Sequence, residues 1–159
     1  MLGLRVNMIR PARLDEDADA VATVLIESRR VFLPFAPSVH SESDVRRWVR
    51  TSLLPTNRVE VWEEKGNVVA VLATSVEPTC SWIDQLYVLP GWNRKNIGTG
   101  LLLHAHRVLS KPIRLYTFQQ NTGARRFYES HGYTAIEFTD GQANEEKCPD
   151  VLYEYAHYA

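Results

Sequence analysis

Three consecutive strand-like segments in the middle of the chain constrain the fold more than any other feature. Residues 58–63 alternate apolar and polar side chains, and two further apolar segments follow at 68–76 and 80–88. Lys65-Gly66-Asn67 separates the first two with the composition of a tight hairpin turn. Pro90 ends the block, because proline has no N–H group for a sheet ladder. The pattern predicts a β-hairpin meander at the centre of the fold.

Helices and strands are predicted on both sides of this block. Alternation at residues 4–10 indicates a strand that ends at Pro11, and helical spacing indicates helices at 15–26 and 41–54. The later elements are predicted to be a helix, a strand, a helix and two strands, at 97–109, 113–118, 121–131, 133–138 and 151–155. The order is β-α-α-β-β-β-α-β-α-β-β in one domain of residues 1–159. This is an α/β (α+β) fold with a mixed central β-sheet flanked by helices, and its irregular alternation disfavours a doubly wound dinucleotide fold.

Composition excludes several classes of function. The 18 Lys and Arg residues are balanced by 19 Asp and Glu residues, which argues against nucleic acid or an anionic membrane as a partner. No apolar run approaches the ~20 residues that span a bilayer, and residues 1–10 lack the apolar core of a signal peptide, so we expect a cytoplasmic protein. Cys80 and Cys148 are isolated, and His104 and His106 face different ways on a predicted helix, so no metal site is expected.

The segment 86–102 carries the strongest chemical signal, because it joins a strand, a proline, a cationic loop and a glycine-containing helix start. Free backbone N–H groups and the helix dipole make such a helix start an anion site. Arg94 and Lys95 add two positive charges, and Gly98 lets an anion approach the backbone closely. The segment lacks a phosphate-loop GxxxxGK[ST] pattern and the third glycine of a dinucleotide fingerprint. A pyrophosphate site is predicted, and the alternative is a helix N-terminus beside a solvated basic loop.

Two motifs at the correct separation give the chain a resemblance to the GNAT superfamily of N-acetyltransferases over nearly its whole length. The first family motif is an apolar strand, a proline and then Q/R-x-x-G-x-G/A opening a helix, and it falls on residues 93–98. The second falls on Asn121, Ala124, Phe127-Tyr128-Glu129 and Gly132-Tyr133. The order of elements also matches that of the family.

The first motif departs from the family pattern at two positions. Asn93 stands where the family usually has Gln or Arg, and Asn96 stands where it usually has Gly. Asparagine is the non-glycine residue that best tolerates positive φ, so Asn96 is expected to keep the path of the loop. Asn93 is shorter than Gln or Arg, so one phosphate contact is expected to be lost there, and Arg94 and Lys95 are placed to compensate.

The resemblance implies a site for acetyl-coenzyme A as acyl donor. It assigns the pantetheine arm to the backbone groups of Leu86, Tyr87 and Val88, whose side chains also suit a strand core. It assigns the phosphates to a cradle of six consecutive residues, Arg94, Lys95, Asn96, Ile97, Gly98 and Thr99. Asn121 contacts the cofactor in similar enzymes, and it also suits the N-cap of the helix it precedes.

Tyr128 is the catalytic candidate that the resemblance implies, as the acid that protonates the departing coenzyme A thiolate. A phenol with a pKa of ~10 can donate to a thiolate whose conjugate acid lies near ~8.5. The alternative is an aromatic residue that packs beside Phe127. Asp84 is the protein candidate for the general base, with a solvated carboxylate as its alternative, and an ordered water is another candidate for that role.

The sequence leaves the acceptor open. Similar enzymes build the acceptor pocket from segments that correspond here to 28–40 and 144–150, where arginines would select a carboxylate and acids would attract a cation. The expected function is acetyl transfer to a primary amine of a small molecule or peptide by direct attack. The alternatives are a degenerate coenzyme A-binding sensor or interaction module and, less favoured, a nucleotide-binding protein. Similar folds are often dimeric, so a homodimer is one expected assembly.

Overall fold

The computed structural model describes residues 8–156, and a seven-stranded mixed sheet runs through this part of the chain. Its strands are β1 Ile9–Pro11, β2 Arg58–Glu64, β3 Asn67–Val76, β4 Ser81–Val88, β5 Ile113–Phe118, β6 Thr134–Phe138 and β7 Asp150–Tyr155. They lie in the order β1-β2-β3-β4-β5-β7-β6. Neighbours are antiparallel except β4 and β5, which are parallel. The single parallel pair therefore lies in the middle of the sheet.

Helices cover the two faces of the sheet. They are α1 Leu14–Phe32, α2 Glu42–Trp48, α3 Leu54–Thr56, α4 Ile97–Val108 and α5 Thr122–Ser130, with a π-helical turn Val49–Leu53 between α2 and α3. Side chains of α1 and the π-helical turn pack with Val71 of β3 in one core, and side chains of α4 and α5 pack with Leu72 in a second core. Successive strand residues point to opposite faces, so β3 is buried on both sides. This three-layer arrangement confirms the predicted fold class and element order.

Helix α1 is longer than its sequence pattern indicated. The prediction ended it at residue 26, where the polar run Glu27 to Arg30 begins, but the helix continues to Phe32. Ser28 is fully buried and continues the inward face of Val21 and Leu25, and its hydroxyl donates to the carbonyl oxygen of Val88 at 3.0 Å. A serine with a backbone partner can take a core position that a hydrophobicity pattern misses. Of the first predicted strand, residues 4–7 lie outside the described part of the chain.

The second predicted helix, 41–54, is divided by the π-helical turn. It begins as predicted, because the Ser41 hydroxyl accepts a hydrogen bond from the Asp44 N–H at 3.1 Å. Near its end, Pro55 has no N–H to give the carbonyl of Thr51, and its ring crowds that carbonyl. A wider turn relieves the crowding and keeps Val49 and Leu53 buried.

Candidate active site

Strands β4 and β5 separate soon after they meet. Within residues 8–156, their pairing joins Ser81 to Ile113 and Trp82 to Arg114 and goes no further, while β4 stays paired with β3 as far as Val88. A cleft of about 570 Å³ opens between the two strands beyond these pairs. In a ladder, alternate residues direct their N–H and C=O groups to opposite sides of the strand. The side of β4 that faces the cleft therefore presents backbone groups suited to an extended ligand.

A bulge in β4 marks the beginning of the cleft. Ala73 pairs with Gln85 and Thr74 pairs with Ile83, so Asp84 is an extra residue on β4. A bulge bends its strand and increases the local twist. The bend therefore falls two residues after Trp82, the last residue of β4 that pairs with β5, at the point where the two strands separate.

The loop after β4 leads into an uncapped helix. Asn96 is the N-cap residue of α4 and has φ of 62°, which confirms the prediction that asparagine supports a left-handed conformation there. Its side chain makes no capping hydrogen bond, so the N–H groups of the first turn are not capped from that position. The exposed side chains of Arg94 and Lys95 lie in the same loop. An uncapped helix start beside two cations fits the charge and the acceptor oxygens of a diphosphate.

Asn93, the first departure from the family motif, belongs to the turn itself. Its side-chain oxygen accepts a hydrogen bond from the Gly91 N–H at 3.3 Å. Gly91 has φ of 92°, a conformation that suits glycine. The short side chain at position 93 thus stabilises the loop from within.

Tyr128 lines the cleft from α5 and is buried, with 8% of its surface exposed. Its ring contacts Phe127, Tyr133 and Tyr153, with centroid distances of 5.1, 5.5 and 6.3 Å. Burial, together with the nearby Tyr87 hydroxyl, raises the pKa of Tyr128 above its ordinary value. The phenol therefore stays protonated through neutral and mildly alkaline pH, and it can act as a hydrogen-bond donor in the cleft.

Asp84 lines the same cleft from the bulge of β4. The residue is exposed overall, but its carboxylate accepts a hydrogen bond from Asn57 Nδ2 at 2.9 Å. Loss of water around the carboxyl raises the pKa of Asp84, and hydrogen bonds from Ser75 and Asn57 oppose the rise. This combination gives a carboxylate that is ionised at neutral pH and is a better proton acceptor than a fully solvated aspartate.

The two sequence motifs meet in space. A Cβ atom on Gly98 would lie 3.6 Å from Cζ of Phe127 and 3.8 Å from a methyl group of Val88. Asn121 caps α5, because its Oδ1 accepts from the Ala124 N–H at 3.2 Å, and the residue also lines the cleft. The start of α4 therefore lies beside the end of β4 and against Phe127 of α5, and the start of α5 lines the adjoining cleft.

The structure brings some of the expected residues into the cleft and places others at its end. The cleft is lined by five of them, namely Asp84, Leu86, Tyr87, Asn121 and Tyr128. The six residues of the expected phosphate cradle, 94–99, lie in the loop that follows β4 and the first turn of α4. The Val88 carbonyl oxygen accepts a hydrogen bond from the Ser28 hydroxyl. The N–H of Val88 is therefore the backbone group that can bind a ligand on the β5 side.

The structure also adds residues that the sequence analysis did not single out. Tyr116 of β5 is 53% exposed and lines the cleft, as its alternation with the buried Leu115 would have indicated. Trp48 lies within the predicted helix 41–54, 41% of its surface is exposed, and it lines a second cavity. Phe35, considered for the acceptor pocket, instead packs edge-on against Phe118 at 5.8 Å.

No helix within residues 8–156 has the length and apolarity needed to cross a bilayer. Over the same residues, the side chains of His, Cys, Asp and Glu form no group of three or more that could hold a metal ion.

Comparisons with known proteins agree with this geometry. Residues 25–133 match the model of the acetyltransferase (GNAT) family. The fold is similar to PaiA N-acetyltransferase of Thermoplasma acidophilum in complex with coenzyme A, with 22% identity over 94% of this chain and 98% of that chain and a TM-score of 0.75. It is also similar to apo YjaB of Escherichia coli, with 19% identity, 94% and 97% coverage and a TM-score of 0.74. No curated protein sequence matches significantly. The family match spans more than half of the sequence, and the chain belongs to the GNAT acetyltransferase family.

Proposed function

We propose that the protein transfers an acetyl group from acetyl-coenzyme A to a primary amine of a small molecule or peptide. The observation that carries the proposal is the cleft between β4 and β5, which contains Tyr128 and Asp84 and lies beside the uncapped start of α4. This arrangement joins a slot for an extended chain to a site for phosphates. The similarity to a fold that binds coenzyme A supports the same choice of donor.

The residues present fit the donor. The N–H groups of Ile97, Gly98 and Thr99, with Arg94 and Lys95, would hold the diphosphate, since each supplies a donor or a positive charge. Within the segment 86–88, the groups that face the cleft would pair with the amide groups of the pantetheine arm. These are the N–H and C=O of Leu86 and the N–H of Val88, because the Leu89 N–H bonds to Val69 and the backbone groups of Tyr87 therefore face β3. Asn121 would add a side-chain contact. The bound donor supplies an activated thioester carbonyl, so the protein has to orient the amine and manage two protons.

Two side chains move those protons. Asp84 accepts a proton from the ammonium, directly or through a water, and so frees the nitrogen lone pair that forms the new C–N bond. Tyr128 donates a hydrogen bond to the sulfur as the C–S bond breaks and supplies the proton of the thiol. The second proton, which the nitrogen loses as the amide forms, returns through water to the Tyr128 oxygen and restores the phenol. Because burial raises the pKa of Tyr128, the phenol is a weak acid, and most of its effect is expected to come from the hydrogen bond to developing negative charge.

Binding of the donor is testable by thermal unfolding. Acetyl-coenzyme A at ~100 times its dissociation constant should stabilise the folded protein by about 2.7 kcal/mol, a rise of roughly 5–10 °C in Tm. ATP and NAD are the controls and should give no rise. Arg94→Ala is expected to weaken binding about fivefold, as for loss of an exposed charged contact. Arg107→Ala, at the other end of α4, should leave the affinity unchanged.

Two other results would change the proposal. A shift with ATP or NAD and none with the donor would contradict the choice of coenzyme A. A shift with the donor, but no thiol release with any amine, would leave a coenzyme A-binding module without catalysis.

Replacing Asp84 tests the base. Activity should require the carboxylate form, so kcat should fall as the pH drops through the pKa of Asp84, which burial raises above 3.8. Asp84→Asn should lower kcat by about 100-fold and abolish this acidic limb of the profile. Asn57→Ala removes a hydrogen bond that favours the ionised form of Asp84, so the pKa of Asp84 should rise. The acidic limb of the pH profile of this variant should therefore move to higher pH. An unchanged limb in Asp84→Asn would assign the proton to a water.

A further inference from the structure

A second cavity opens beside the cleft. It has a volume of about 650 Å³ and lies among the end of α1, the segment that follows it, α2 and the residues before β7. Four residues line both cavities, namely Arg29, Leu33, Gln85 and Glu146. The second cavity therefore adjoins the cleft that contains Tyr128 at these four residues. The volume is in the range of small-molecule sites.

The charged side chains around the second cavity leave it with an excess of negative charge. Four carboxylates line it, from Glu42, Asp44, Glu145 and Glu146, against the guanidinium groups of Arg29 and Arg30. Over these lining residues the excess is two negative charges when His40, which lies 2.9 Å from Glu145, is neutral. Outside the lining, Arg47 lies 3.7 Å from Asp44 and Glu27 pairs with Arg30, so the two outer charges cancel and the excess is unchanged. Such a cavity attracts a cation and opposes a carboxylate.

Both arginines of the cavity already have carboxylate partners. Arg29 Nη2 lies 2.9 Å from Glu146 Oε1, at the junction with the cleft, and the guanidinium also interacts with the Tyr87 hydroxyl. Arg30 forms an ion pair with Glu27, which lies outside the cavity lining. A substrate carboxylate would have to displace one of these carboxylates before it could bind an arginine. The arginines therefore do not form a ready carboxylate site.

The inner wall of the cavity is apolar. Leu25 and Ile26 of α1, Leu33 and Val45 line it together with the indole of Trp48. An exposed indole is a large, flat and rigid surface, and its face attracts both aromatic rings and cations. A highly hydrophilic amine would place polar groups against this apolar wall, where they would find no hydrogen-bond partner.

These features together define the acceptor, and this step rests on the proposed function. We infer that the second cavity binds a primary amine with one positive charge, an aromatic or branched apolar body and no carboxylate. The apolar body packs against Trp48 and the side chains of α1, and the amine extends past the Arg29–Glu146 pair toward the cleft. This choice favours the acids over the arginines, the two alternatives that the sequence leaves open.

The test compares matched amines by calorimetric binding to the protein saturated with coenzyme A. 2-Phenylethylamine should bind at least about tenfold more tightly than phenylalanine, which differs by one carboxylate. Phenylalanine amide, which has the same body without the negative charge, should recover most of the lost affinity. Spermidine, a polycation without an apolar body, should bind more weakly than 2-phenylethylamine.

Substitutions at two positions, Trp48 and Glu42, separate the apolar and electrostatic contributions to binding. Trp48→Ala should weaken the binding of 2-phenylethylamine about tenfold. Trp48→Phe should weaken its binding less, because an aromatic face is kept. Glu42 is exposed, and Glu42→Gln removes one negative charge from the cavity. The ratio of the affinities for 2-phenylethylamine and phenylalanine should therefore fall by about threefold. Val76→Ala removes an apolar side chain that is 71% exposed and does not line the cavity, so it should change neither affinity.

The inference is overturned if phenylalanine binds as tightly as 2-phenylethylamine, if neither binds, or if Trp48→Ala has no effect. These outcomes leave the proposed function standing whenever coenzyme A binds and another amine gives thiol release. Failure of coenzyme A to bind would overturn the proposed function instead, and the ratio of amine affinities can then be measured on the protein alone.

Discussion

Replacing Tyr128 with phenylalanine is expected to lower kcat for acetyl transfer by about 100-fold, the size of effect seen when one donor to developing charge is removed. The ring contacts with Phe127, Tyr133 and Tyr153 do not involve the hydroxyl, so the variant keeps the packing of α5. The affinity for acetyl-coenzyme A should stay within about threefold, because the lost hydrogen bond forms mainly as the C–S bond breaks. Thiol release under saturating donor and amine measures kcat directly.

Tyr153→Phe is the matched control. Its hydroxyl is also buried, but it accepts a hydrogen bond from Arg125 Nε at 3.1 Å and does not line the cleft. This variant should lose some stability and keep its kcat. If Tyr128→Phe keeps its kcat as well, Tyr128 is a packing residue and the thiolate takes its proton from solvent.

Local patterns predicted most elements of this fold because their causes are local. The Lys65–Gly66 turn has positive φ at both residues, Ser41 and Asn121 cap their helices, and Gly132 follows the last turn of α5 with φ of 92°. The strand order could not be predicted in this way. The insertion of β7 between β5 and β6 depends on pairing between distant segments, and no local pattern encodes it.

The candidate site divides along the same line. Its loop and helix start could be predicted, because the positive charge of the loop and the free N–H groups of a helix start are local properties, and Asn96 has the conformation expected of it. The cleft itself depends on the point where β4 and β5 stop pairing and on the bulge at Asp84, which are properties of the whole sheet. The second cavity could not be predicted either, because the spacing of apolar residues in α2 is the same whether Trp48 is buried in the core or lines a cavity.

Replacing Gly141 with alanine is expected to cause a large loss of stability. Gly141 has φ of 82°, and a Cβ atom there would lie 2.3 Å from both the carbonyl carbon and the carbonyl oxygen of Cys148. The left-handed conformation costs an alanine about 1–2 kcal/mol, and overpacking against backbone adds about 1–3 kcal/mol. We expect the free energy of unfolding to fall by about 3 kcal/mol and Tm by roughly 10 °C.

Gly66→Ala separates the two causes of that loss. Gly66 has φ of 80°, but no atom lies within 4 Å of the added Cβ, so this variant should lose only about 1 kcal/mol. Equal losses of stability in the two variants would show that the close contact between the added Cβ and the Cys148 carbonyl can be relieved without loss of stability.

The turn at Gly141 also positions the segment that contains Glu145 and Glu146, which line the second cavity. Gly141→Ala should therefore weaken amine binding more than binding of acetyl-coenzyme A, whose phosphate site lies on the separate loop before α4.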